Sequence, residues 1–468
     1  MGSRLCRAAI NLAFGLYYKN IFEMKKVSTF LLTLSVLFFS SCKKYLQIQP
    51  QNYVSDASTI VDEPSALTAL NGAYRALGNN GYYGESFVEL GFLSGGDWVN
   101  LTTGGSANLV IQNFRPDDAY FETVWSAIYA AINAANNILA KVPGIQDPNL
   151  TSTIREQILG QAHFIRSLAY FDLARSWGGV PIVLTPTTSA TGANAKVSRS
   201  TLAETWTQVE SDLDSAYSLL PTTLQSRYVA VQNTAVALRA RLHLYKQEWA
   251  QAEADATTLI DNSGYALATP YSSWMYQSTN PESIFEIEFS AQNTSGISTE
   301  MQVPSTGGNY RYGPDQTLIN ILNDPTIGGA RSVLLAKQVQ AGSTTWYGNL
   351  YTKITDPVYV LRIAEQYLIR AEARTQQGTN LSGALADLNV IRARAGVALA
   401  SDSSQAGLLL AIENERRVEL ALEPFRWFDL ARTGRAVAVL NVPSYELVFP
   451  IPTTEITLNP NLTQNTGY

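Results

Sequence analysis

The apolar residues of this chain recur every three or four positions over long stretches. That spacing commits most of it to helices that bury one face. Ile154, Ile158, Ala162, Ile165, Ala169 and Leu173 form one such stripe, and Gly178-Gly179 followed by Pro181 ends the helix. Val124, Ile128, Ile132 and Ile138-Leu139 form an earlier stripe that stops before Pro143-Gly144. Leu361, Ala364, Leu368 and Ala371 form a later one. Ala384, Leu388 and Ile391 follow it, and then Leu408, Ala411, Val418 and Leu422.

Two segments share a layout. Val231 to Lys246 reads as a helix, Gln247-Glu248-Trp249 as a turn, and Ala250 to Asp261 as a helix lined by Ala252 and Ala256. Val358 to Gln376, Gln377-Gly378 and Leu381 to Ala395 repeat that plan with Ala384. A long helix, a short polar turn and an alanine-lined helix is the plan of a tetratricopeptide-type hairpin. The copies diverge, so an irregular helical stack is expected. Polar, aromatic-bearing segments separate the helices at 79–113, 185–198, 264–282 and 290–356. Loops of this length often carry function. Ser283 to Phe289 alternates like a strand.

Composition excludes several classes. The chain is 46% hydrophobic and so folds rather than staying disordered. Charged residues make up 15%, net charge is −6, and no long basic run exists, which argues against nucleic acid. Two His and two Cys in 468 residues leave no zinc site of the His/Cys type and no disulfide framework. A calcium ion held by loop oxygens stays open. His163 and His243, alone in their helices, are read as packing or surface residues.

The N-terminus reads as an address. Lys25 and Lys26 precede the apolar run Val27 to Phe39, and Ser40, Ser41 and Cys42 follow. The run is too short to span a bilayer comfortably. Small residues before Cys42 resemble a bacterial lipobox, with Phe39 bulkier than usual. This implies cleavage before Cys42 and acylation there. Because Met24 directly precedes the basic pair, it is the expected true start.

Three constellations invite chemistry. Glu286 and Glu288 share one strand face about 7 Å apart, a span that glycosidases use. Strand alternation alone puts both in solvent, with Phe285, Ile287 and Phe289 in the core, and that reading is preferred. Glu415-Arg416-Arg417, Glu419 and Arg426 to Arg432 are dense in opposite charges. They read as an ion-pair network joining two helices rather than an acid/base site. Pro424 is expected to open the second of these helices. In the loops, Asp97, Trp98 and Asn100 follow Ser94-Gly95-Gly96, and Tyr82, Tyr83, Tyr310, Tyr312, Trp346 and Tyr347 add further rings. A flat ring beside hydrogen-bonding groups suits sugars and peptides alike.

Arg166-Ser167-Leu168-Ala169-Tyr170-Phe171-Asp172-Leu173-Ala174-Arg175-Ser176-Trp177-Gly178-Gly179-Val180-Pro181 resembles a segment of SusD/RagB proteins. So do Arg362-Ile363-Ala364-Glu365 with Tyr367-Leu368, Leu388-Asn389 with Ile391-Arg392, and Glu415-Arg416-Arg417 through Arg426-Trp427-Phe428-Asp429-Leu430. The tail Phe449-Pro450-Ile451-Pro452 through Gly467-Tyr468 is similar as well. Gln47 and Pro424 depart from the family's usual Asp and Gly. The resemblance implies a mainly α fold of four tetratricopeptide-like helix pairs with long loops and a few short strands. It places residues 42–230 in an N-terminal part and 231–468 in a C-terminal part, packed as one unit behind the 1–41 leader. It implies a non-catalytic, lipid-anchored outer-membrane protein of Bacteroidetes. Such a protein needs no cofactor, captures an oligosaccharide or peptide, and passes it to a TonB-dependent, SusC-like transporter. The ligand residues Asp97, Trp98, Asn100, Tyr82, Tyr83, Tyr310, Tyr312 and Trp346 rest on chemistry and loop position. The alternatives are a glycoside hydrolase using Glu286 and Glu288, and a periplasm-facing helical scaffold.

Overall fold

Helix start signals in the sequence become caps in the fold. In the computed structural model, which describes residues 59–101, 107–187, 196–262, 264–277 and 280–468, the principal helices are α1 Glu63–Leu77, α2 Ser86–Leu93, α3 Ala119–Lys141, α4 Ser152–Trp177, α5 Leu202–Leu219 and α6 Gln232–Lys246. They continue with α7 Trp249–Asn262, α8 Gln316–Asn323, α9 Ile363–Gln377, α10 Leu381–Ala395, α11 Gln405–Glu419 and α12 Arg426–Arg432. The side chains of Asp118, Thr151, Asn380 and Ser404 accept from backbone N–H groups of the first turns of α3, α4, α10 and α11. Thr201 and Glu204 form a reciprocal capping box on α5. Gly378 ends α9 at φ +72°, a left-handed conformation that glycine adopts without a Cβ clash.

The helices pack in chain order: α3 on α4, α4 on α5, α5 on α6, α6 on α7, α7 on α9, and α10 and α11 on α9. This is the tetratricopeptide-like stack, and Ile60–Tyr468 forms one compact unit. α4 lies at its centre. From Phe164 to Trp177 every residue is buried, the polar Arg166, Asp172, Arg175 and Ser176 included. Those charges are matched: Arg166 donates to Asp212 and Asn136, and Arg175 donates to Asp172 at 2.8 Å with its guanidinium over the Phe428 ring.

Short antiparallel strands pair across long sequence distances. β1 (Trp98–Asn100) pairs with β3 (Tyr312–Pro314), and β2 (Ser283–Ile287) with β6 (Val358–Arg362). β4 (Leu335–Gln340) and β5 (Ser343–Gly348) form a hairpin.

Several expectations change here. Val358 to Arg362 is strand, so Leu361 leaves the helical stripe and α9 starts only at Ile363. α11 stops at Glu419, and Leu422 sits at φ +70° beyond it. Pro424 precedes α12 by two residues instead of opening it. The 290–356 segment contains β3, β4, β5 and α8, and the 79–113 segment contains α2 and β1. The signal-peptide reading, with Met24 and Cys42, falls outside the described residues.

The expected ion network is present and larger than the sequence suggested. Glu415 is buried between Arg331 at 2.6 Å and Arg392 at 2.7 Å. Arg416 joins α11 to Asp429 of α12 at 2.7 Å, and Arg432 reaches Glu372 of α9 at 2.6 Å. Arg362 meets Glu282, Glu419 and Glu423.

Candidate functional site

The pairing of β1 with β3, and of β3 against the β4–β5 hairpin, gathers most of the loop aromatics in one region. Within that region the rings divide into a buried layer and an outer layer. Trp98 is 3% exposed, packed against Phe92 and edge-on to Tyr312, with ring centroids 5.0 and 5.8 Å away. Tyr312 is buried and donates its hydroxyl to Glu89 Oε1 at 2.7 Å. Asp97 is buried and accepts from Arg417 Nε at 3.0 Å. Tyr82 and Tyr83 are buried further in, and both hydroxyls donate to Asp172 Oδ2, at 2.6 and 2.8 Å. The expectation that these five side chains present themselves to a ligand is therefore corrected. Each is engaged by a partner distant in sequence that fixes it in the interior, so none of the five is presented at the surface.

Asn100, Tyr310 and Trp346 form the outer layer and are half-buried. Asn100 closes β1 opposite Tyr312, and the next residue, Leu101, donates its N–H to Arg311 O at 2.7 Å. Tyr310 takes a left-handed φ of +48° and donates its hydroxyl to the Trp346 carbonyl at 2.8 Å. That bond ties the β3 approach to β5. Lys337 stands directly across the hairpin from Trp346, with Nζ 5.1 Å from the centre of its ring. Tyr347 is half-buried too, and strand alternation turns it to the opposite face of the hairpin. Lys337 was not among the sequence candidates; its signal, a cation opposite a hairpin Trp, depends on the register.

Behind this face lies a carboxylate cluster. Glu89 accepts from Tyr312 and from Tyr120, whose hydroxyl is 2.8 Å from Oε2. Burial pushes its carboxyl up to about 7 against those hydrogen bonds. Burial, reinforced by the charges of Glu89 and Glu300, pushes Glu85 up to about 8, with Arg311 opposing. Arg311 pairs with Glu300 at 2.7 Å. Among the described residues no group of three or more His, Cys, Asp or Glu could hold a metal ion.

The glycosidase pair is divided by the fold. β2 is buried along its whole length and carries register shifts on both sides of Phe285. Phe285 packs on Tyr74 and Phe164. Glu286 is 1% exposed and accepts from Asn280 at 3.3 Å, whereas Glu288 is exposed. The expectation that strand alternation leaves both carboxylates in solvent fails for Glu286, because neighbours cover both faces of the strand. His163 and His243 sit against Asp212 and Glu248, each at 2.7 Å, as packing residues.

Known proteins resemble the chain along most of its length. Residues 44–244 match a family model described as SusD-like, starch-binding and associating with the outer membrane, and residues 320–447 match the SusD family model. A SusD-like protein of Formosa agariphila is 25% identical, over 95% of this chain and 100% of its own length. A SusD superfamily crystal structure from Bacteroides vulgatus superposes with TM-score 0.76 at 22% identity, covering 87% of this chain and 99% of that one. A laminarin-binding SusD-like protein superposes with TM-score 0.74 at 22% identity, covering 87% of this chain and 100% of its own. With both of the family's models matched in order and the helical stack reproduced, the chain belongs to the SusD/RagB family.

Proposed function

We propose that this protein binds a saccharide chain on the face made by β1, β3 and the β4–β5 hairpin. It delivers that chain to a TonB-dependent, SusC-like transporter while anchored to the outer membrane through acylated Cys42. The observation that carries the reading is Trp346. Its ring is half-buried with Lys337 Nζ over it, its carbonyl accepts from the Tyr310 hydroxyl, and Asn100 pairs with Tyr312 on the adjoining β1–β3 ladder. A sugar ring stacks on such an indole face, while the amide and ammonium groups meet its hydroxyls. The chain's family and its laminarin-binding structural neighbour favour a glycan over a peptide. Binding without bond cleavage is the proposed role, with no catalytic residue assigned.

Isothermal calorimetry with laminarihexaose and maltohexaose tests the site. One of these probes is expected to bind, and Trp346→Ala to weaken it about tenfold, the loss of ~1.4 kcal/mol typical of an interface anchor. Normal binding by that variant would remove Trp346 from the site. Heat from a peptide panel alone would move the ligand class. Mass spectrometry of membrane-derived protein is expected to find Cys42 acylated, and Cys42→Ser to release the protein into the soluble fraction. Affinity purification from intact membranes is expected to retain a β-barrel partner.

A further inference from the structure

A second cleft lies away from the Trp346 face, between α1 and the end of β2. Its volume is about 440 Å³, within the range of small-molecule sites, and Asn71, Arg75, Tyr228, Glu286, Glu288 and Gln292 are among its walls. At its foot the side chain of Glu286 is almost wholly buried, yet Oε2 meets no donor within hydrogen-bonding geometry. A buried polar atom left without a partner is costly, and native proteins keep few of them. Burial pushes the Glu286 carboxyl above its ordinary range, with Ser283, Asn280 and Arg227 opposing.

We propose that this cleft is a second ligand site and that it takes one neutral saccharide unit, with Glu286 at its foot and Glu288 at its rim accepting from ring hydroxyls. The wall chemistry selects the class. Glu286 and Glu288 against Arg75 in the wall and Arg227 beside Glu286 leave the cleft balanced in charge, which favours neither an anion nor a cation. Sugar hydroxyls both donate and accept, so the same ring satisfies Glu286 and Glu288 while receiving from Arg75, Asn71 and Gln292. The half-buried ring of Tyr228 supplies an apolar wall. None of these residues belongs to the Trp346 face, so the two sites stand or fall separately.

Saturation-transfer-difference NMR on the full chain, with glucose, galactose, mannose and xylose as probes, tests the proposal. At least one probe is expected to receive transfer in the wild type and equally in Trp346→Ala. Asn71→Trp, which fills the cleft from an exposed helix position, is expected to reduce the signal at least fivefold. Glu288→Ala is expected to do the same from the rim. Laminarihexaose calorimetry on Asn71→Trp is expected to match the wild type, which keeps this site distinct from the first. No transfer to any of the four sugars overturns the proposal. So does a signal that survives Asn71→Trp, or one that disappears in Trp346→Ala.

Discussion

Glu85 and Glu89 sit behind the proposed glycan face with their carboxyls pushed up to about 8 and about 7, chiefly by burial. An unfolded chain loses those protons near the ordinary value of 4.5. Between the two values the native state therefore holds protons that the unfolded state has lost. The stability contributed is full below about 4.5 and is lost as pH rises through 7 and 8. Urea unfolding is expected to show stability falling from pH 6 to pH 9, with a shallower fall in Glu85→Gln. At pH 9 that variant is expected to exceed the wild type by at least ~1 kcal/mol, about the worth of one pKa unit. Identical slopes would mean that Glu85 titrates as an exposed carboxyl. The residue scale is also where the sequence was least legible. Tyr82, Tyr83 and Trp98 stand in glycine-bearing stretches that read as exposed loop. Their burial is decided by Asp172, 90 residues beyond Tyr82, and by Tyr312 across the β1–β3 pair. No local pattern encodes such partners. Glu415 was legible because a carboxylate on an apolar stripe needs a cation wherever the helix docks.

At the scale of elements, glycines report how closely helices approach. A Cβ on Gly91 of α2 would lie 2.5 Å from the Pro424 Cα, backbone against backbone, just before α12. Gly72 of α1 has nothing within 4 Å of the same added atom. Gly91→Ala is thus expected to destabilise by ~1–3 kcal/mol, the range for overpacking a close contact. Gly72→Ala is expected to stabilise by ~0.5–1 kcal/mol, because alanine restricts the unfolded chain and favours the helix interior. Thermal unfolding of the two variants should move in opposite directions, and a shared sign would refute the packing argument. Legibility follows the same division. The stripe over α4 and the stops at Gly178 and Gly378 were visible because they repeat at short range. β6 was absorbed into a helical stripe, since Leu361 lies three residues before Ala364. What makes Val358–Arg362 a strand is β2, more than 70 residues earlier. β3, β4 and β5 carry too few apolar residues to announce themselves; pairing rather than composition defines them.

Across the whole molecule, one buried cation ties together segments that are distant in the chain. Arg362 at the end of β6 meets Glu282 at the start of β2, Glu419 at the end of α11 and Glu423 before α12, with its guanidinium 4.1 Å from the Trp274 ring centre. Arg394 of α10 shares two of those carboxylates, bonding Glu282 at 2.7 Å and also Glu419. Burial works against ionisation of Glu419, yet Arg394, Arg362 and Arg331 together hold its carboxyl below the ordinary range. Burial lifts the Glu423 carboxyl above that range even with Arg362 opposing. Arg362→Met keeps much of the volume and removes the charge, leaving three buried carboxylates with fewer counter-ions. A loss of about 3–5 kcal/mol at pH 7 is expected, the usual cost of stripping one partner from a buried pair. The sign of its pH dependence separates electrostatics from packing. Without Arg362 the Glu423 carboxyl rises further above its ordinary range and Glu419 loses one of the charges that hold it below, so the variant takes up protons on folding at higher pH than the wild type does. Its deficit should therefore shrink between pH 7 and pH 5, as read by urea unfolding of both proteins at each pH. A deficit that stays constant across that interval would assign the loss to the cavity and the missing ring contact. Arg362 would then be a packing residue, and the charge network would not be what joins the β2–β6 pair to α11.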